Sequence, residues 1–156
     1  VTGPRGLRAA GLACLLAAVT ALSGCAGGDA EGPQVSAVPD SAYIPEPPTD
    51  STAGGFLTLT NEGDEPDRLT GVTSDLSDDV QLHRTEDNRM SRVDSLEIPA
   101  GGELALSRGG NHVMFMELNR VPSEGETVAL ELRFEKSDPI TLDVPVESGT
   151  YTGHAH

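Results

Sequence analysis

Apolar and polar positions alternate along much of this 156-residue chain with the period of two that a strand half-buried in a sheet requires. The stretch "TVALELRF" is the clearest case: Val128, Leu130 and Leu132 share one face against Thr127, Glu131 and Arg133. Seven further runs read the same way: "GFLTLTN", "DRLTGVTS", "DVQLHRT", "MSRVDSLEI", "GELALS", "HVMFMEL" and "PITLDVPV". Gly, Asp, Asn and Pro punctuate them at the spacing expected of a sandwich or barrel. No segment beyond the N-terminal apolar run carries a helical period. The pattern predicts an all-β sandwich of about eight short strands. Upstream, "QVSAVPDSAYIPEPPTDSTAGG" mixes a short possible strand with a proline-rich loop. Prolines lack the amide donor a central strand needs, so this region suits a sheet edge or an irregular crossing.

The N-terminus follows a different logic. Arg5 and Arg8 precede the apolar run "LRAAGLACLLAAVTAL", which ends at "LSGC", Leu22 to Cys25. This resembles a bacterial lipoprotein signal, which implies that residues 1–24 are removed and that Cys25 takes a diacylglycerol. Two acyl chains hold a protein stably on a membrane, where one is marginal. The expected site is the outer, extracytoplasmic face of the cell membrane. An ordinary signal peptide that happens to end in cysteine is the alternative. Residues 25–33 read as a lipidated cysteine and flexible tether, 34–147 as the β-domain and 148–156 as a flexible tail.

Charge narrows the partners. The chain carries 25 Asp+Glu against 10 Lys+Arg, a net charge of −15, and loss of Arg5 and Arg8 with the signal takes this to −17. Nucleic-acid binders need basic patches and often aromatic platforms; this chain is acidic and has no Trp, so nucleic acid is not an expected partner. Cys14 leaves with the signal and Cys25 is consumed by lipid, so metal binding by the exported domain cannot use cysteine.

The stretch "GGNHVMFMEL" holds two of the three methionines. In an extended strand, His112, Met114 and Met116 point one way, and Val113 and Phe115 point the other, toward the core. Packing is the competing reading of an isolated "HVMFM", because methionine fills gaps. The third methionine shifts the balance. If Asp87 and Asn88 form a two-residue hairpin loop, Thr85 pairs with Met90 and His83 with Arg92, and His83 and Met90 share a face diagonally. The pairs His83/Met90 and His112/Met114 then converge if hairpin and later strand are neighbours, which periodicity alone does not establish. Neutral, soft thioethers favour Cu(I) over Zn(II), Mg(II) or Ca(II). They need no deprotonation and are not lost to disulfides outside the cytoplasm.

These residues resemble the periplasmic copper chaperone family PCu(A)C over roughly residues 34–147. The family pattern is His, ten residues, Met, twenty-one residues, His-x-Met. Met90, His112 and Met114 fit its spacing, and "FLTLTNEGDEPDRLTG", "LEIPAGGELALSRGGNHVMFM" and "LRFEKSDPITLDVPV" resemble family segments. His83 departs from it, with six residues before Met90 instead of ten. Both separations are odd, so a hairpin shortened by two residues per strand keeps both side chains on one face.

The resemblance implies a cupredoxin-like β-sandwich of the Greek-key type and a metal site of His83, Met90, His112 and Met114. It also implies Cu(I) delivery to the dinuclear centre in the copper-bearing subunit of cytochrome c oxidase, alongside Sco-like thioredoxin-fold proteins. Met116 reads as packing beside the site, with ligation as the alternative. His154 and His156 in the terminal "GHAH" are candidates for capturing Cu(II), or belong to an end without a role. An enzyme is not expected, since no nucleophile elbow or "HExxH" occurs. Copper storage or resistance, and a metal-free membrane-anchored interaction domain, remain as alternatives.

Overall fold

The computed structural model describes residues 31–153, and within them the alternation seen in the sequence becomes twelve strands. In chain order these are β1 (Val35–Ala37), β2 (Ile44–Pro45), β3 (Thr52–Gly55), β4 (Leu57–Asn61), β5 (Asp67–Ser74) and β6 (Asp79–Glu86). They are followed by β7 (Arg89–Val93), β8 (Leu96–Ile98), β9 (Gly102–Leu106), β10 (His112–Met116), β11 (Thr127–Phe134) and β12 (Ile140–Glu147). The class read from the sequence, an all-β sandwich, is the one the chain adopts.

Eight runs become twelve strands by two divisions and two additions. "GFLTLTN" divides at Phe56, where the chain leaves one sheet for another and holds only an isolated bridge to Tyr43. "MSRVDSLEI" divides at Asp94–Ser95, so β7 and β8 also join different sheets. The proline-rich region supplies β1 and β2, each at the outer position of its sheet, where missing amide donors cost least.

Strand order is β1-β4-β9 in one sheet, β3-β10-β6-β7 in a second and β2-β12-β11-β5-β8 in a third. Every neighbouring pair is antiparallel except β2 with β12. The inward faces meet in a core that includes Ile44, Leu59, Leu69, Leu82, Ile98, Val113, Phe115, Leu130, Leu132 and Val144. All of these lie between residues 44 and 146, so a chain beginning at Ala26 keeps every strand and the whole core. Phe115 is fully buried, and its ring closes on Gly55 of β3, where a Cβ would stand 3.0 Å from it. That close approach seats β3 against β10, directly behind the face that carries the methionines.

A buried carboxylate fastens the start of β5 to the loop after β11. Asp67, 1% exposed, accepts hydrogen bonds from the backbone amides of Arg68 (2.7 Å), Lys136 (3.0 Å) and Ser137 (2.9 Å). Burial alone would raise its pKa, but the hydrogen bonds from Ser137, Arg68 and Lys136 outweigh it and hold the value below the usual 3.8. A lowered carboxylate pKa stabilises the fold above the unfolded value and ceases to do so as pH falls through the folded one. Asp67→Ala is therefore expected to cost about 2–3 kcal/mol at neutral pH. Urea unfolding should show that deficit beginning to shrink as pH falls below about 4, where the unfolded chain takes up the proton first, and closing only once the lowered folded pKa is passed.

Candidate metal centre

The centre begins with a turn. Asp87 (φ 49°) and Asn88 (φ 59°) both occupy the left-handed region, as a two-residue type I′ loop demands. Their short polar side chains tolerate that conformation better than most. The loop fixes the register of β6 against β7, with Thr85 opposite Met90 and His83 opposite Arg92. This is the pairing expected from the sequence, and it leaves His83, Thr85, Met90 and Arg92 on one face.

The relation between hairpin and later strand, which periodicity left open, is direct adjacency. β10 lies antiparallel beside β6, with His112 opposite His83, Met114 opposite Gln81 and Met116 opposite Asp79. Leu82 of β6 and Val113 and Phe115 of β10 point into the core, so His83, His112, Met114 and Met116 share the other face. The two imidazoles meet with ring centroids 5.3 Å apart and planes inclined at 57°.

The methionines differ in how near they come. Met114, half-buried, sits one pleat repeat from His112 and lines an open groove of about 540 Å³ with Pro45, Pro47, Pro48, Phe56 and Arg108. Met90 is 66% exposed, on the outer strand and on the other side of the histidine pair. Strand spacing puts the Cα atoms of Met90 and Met114 about 16 Å apart. Met116 stands opposite Asp79 and Thr52, about 13 Å along β10 from His112. Its carbonyl oxygen accepts the Ser77 hydroxyl. Cys25, His154, His156 and the expected signal at 1–24 lie outside the described residues.

Hydrogen bonding fixes His112. Its Nδ1 lies 2.9 Å from the Gly110 carbonyl oxygen, which can only accept, so Nδ1 carries a proton. Neutral His112 then keeps its lone pair on Nε2. The Phe56 ring lies 6.5 Å from the imidazole, centroid to centroid, and the Arg108 guanidinium sits 5.8 Å over Phe56 while donating to the Gly149 carbonyl at 3.0 Å. His83 Nε2 lies 3.0 Å from Gln81 Oε1, while His83 Nδ1 is buried without a hydrogen-bond partner. An orphaned polar atom of this kind costs about 1–3 kcal/mol. Burial, then the neighbouring His112 and Arg92, lowers the His83 pKa below 6.5 and favours its neutral, ligating form.

Among the described residues, no three His, Cys, Asp or Glu side chains gather where they could hold a metal ion. The donors next to one another on this face are two imidazoles and the Met114 thioether, a neutral set, while the Asp79 carboxylate stands farther along it, opposite Met116. Gln81, Gly110, Phe56 and Arg108 were not singled out from the sequence. Gln81 was within reach of the parity argument, being two residues before His83 on the same face.

Comparison with known proteins agrees with this architecture. The solved "apo PmoF2 PCuAC domain" superposes with a TM-score of 0.65 at 26% identity, covering 74% of this chain and 92% of that one. The "Copper-bound PCuAC domain from PmoF2" gives 0.62 at 27%, covering 70% and 90%. The "Solution structure of CuI-DR1885" from Deinococcus radiodurans gives 0.62 at 32%, covering 73% and 82%. A relative described as "Putative lipoprotein Lxx21020", from Leifsonia xyli subsp. xyli (strain CTCB07), is 30% identical over 90% of this chain and 89% of its own. The family model described as "Putative lipoprotein LpqE-like" matches residues 31–146. The chain therefore belongs to the LpqE-like lipoprotein family, and its fold is that of the PCuAC domain.

Proposed function

We propose that this protein is an extracytoplasmic Cu(I) chaperone, anchored through a diacylglycerol on Cys25 after removal of residues 1–24. The observation that carries the reading is the cross-strand pair His83–His112 with Met114 on the same face. Two neutral imidazoles and a thioether suit a monovalent d¹⁰ ion, and no ligand has to lose a proton at neutral pH. His83, His112 and Met114 form the primary set. Met90 completes it when the β6–β7 hairpin curls toward β10, and its exposure lets it release the ion first.

The copper-bound PCuAC domain from PmoF2 and the CuI form of DR1885 support copper as the cargo. Delivery to the dinuclear site of the cytochrome c oxidase copper-bearing subunit, with a Sco-like protein as co-worker, is the route the PCu(A)C resemblance implies. Storage shares the same donors, but an exposed thioether on an outer strand favours hand-over above sequestration.

The decisive experiment titrates the protein beginning at Ala26 with Cu(I) against a competing chelator. His83→Ala, His112→Ala and Met114→Leu are each expected to weaken binding by more than the about 10- to 100-fold typical of losing an outer partner. Met116→Leu should change little. Unaltered Cu(I) affinity in both His112→Ala and Met114→Leu would eliminate the site. Met90→Leu should weaken equilibrium binding less than Met114→Leu yet slow transfer to an acceptor chelator. Loss of oxidase activity in cells lacking the protein would separate delivery from storage.

The pH dependence follows from the donors. The His83 pKa is lowered, so protons compete with Cu(I) for that imidazole only below pH 6.5. Affinity is expected to be flat above that pH and to fall in more acid solution. Residual binding in a His83→Ala/His112→Ala double variant should not respond to pH, because thioethers do not titrate.

A further inference from the structure

Gln81 makes two hydrogen bonds that together leave no freedom in how His83 is protonated. Its Nε2 lies 2.9 Å from Asp79 Oδ2, and its Oε1 lies 3.0 Å from His83 Nε2. An ionised carboxylate only accepts, so the end of the Gln81 amide facing Asp79 must be its NH₂. The other end, facing His83, is then the carbonyl oxygen, which also only accepts. His83 Nε2 must therefore donate. In a neutral imidazole that leaves the lone pair on Nδ1, the atom that is buried and without a partner.

We infer that Gln81 is a positioning residue for metal capture: the Asp79–Gln81–His83 chain holds the proton on Nε2 and presents Nδ1 of His83 as its donor atom. His112 is set in the opposite sense, because Gly110 takes its Nδ1 proton and leaves Nε2. The two opposed rings thus offer unlike nitrogens to one ion. His83 and His112 sit directly across the strand pair, with ring centroids 5.3 Å apart. The chain also makes His83 a better donor, since an accepting partner on Nε2–H pushes electron density toward Nδ1. Gln81 faces Met114 across the same strand pair, so it lies beside the thioether as well. This inference rests on the copper reading above.

Cu(I) is diamagnetic, so long-range ¹H–¹⁵N correlation of the imidazoles reads protonation and coordination in one sample. In the metal-free protein beginning at Ala26, His83 is expected as the Nε2–H tautomer and His112 as the Nδ1–H tautomer. Added Cu(I) should shift Nδ1 of His83 and Nε2 of His112. Gln81→Leu should give His83 a mixture of tautomers, leave His112 as it was, and weaken Cu(I) binding by about 10- to 100-fold. Gln81→Glu, which keeps an acceptor beside Nε2–H, should restore the tautomer.

A Cu(I) shift at His83 Nε2 would overturn the role of Gln81 while the copper reading stood. An unchanged tautomer in Gln81→Leu would do the same. If Cu(I) shifted neither ring, the copper reading would fall and this inference with it.

Discussion

A slip of one residue between β10 and β6 would turn His112 and Met114 into the core and Val113 and Phe115 out to solvent. The register His112↔His83 is therefore the constraint on which the rest of the molecule depends. It is held from behind, not by the histidines and methionines. Val113 and Phe115 are fully buried, Leu82 packs beside them, and Gly55 admits the Phe115 ring where a side chain would not fit. Burial of such side chains contributes about 1.5–3 kcal/mol each. A pairing that exposed them would forfeit far more than the contacts between the histidines could return, so the core alone brings the imidazoles together.

The same division of labour explains how the site tolerates its own defects. A buried His83 Nδ1 without a partner is unfavourable, and so is a histidine pair with both rings partly withdrawn from water. Strands anchored by a large apolar core absorb these costs without rearranging. The arrangement of the histidines and methionines is thus supplied by the opposite, apolar face of the sheet. Burial lowers the His83 pKa, and thioethers carry no charge.

How much of this was legible in the chain varies with the range of the interaction. β5 and β11 coincide with the runs "DRLTGVTS" and "TVALELRF", because strict alternation bounded by turn residues is a local signal. The Asp87–Asn88 loop and its register were also local, since both residues accept positive φ. The division of "GFLTLTN" at Phe56 was not readable, because the bend answers to two sheets far apart in sequence. Adjacency of β10 to β6 was invisible for the same reason: a period of two states which face a residue takes, never which strand lies next to it. Gln81 escaped notice because an amide carries no metal signature. Its significance appears only when Asp79 and His83 are seen to hold its two ends.

The outer position of β7 has one more effect. A terminal strand leaves a line of amide and carbonyl groups without partners, an invitation for another chain to extend the sheet. Arg89 and Arg92 stand on that strand, exposed, and the tight loop before it keeps it to five residues. Two like-charged strands of this kind repel one another when brought edge to edge. The border beside His83 is thereby guarded against edge-to-edge pairing of two copies.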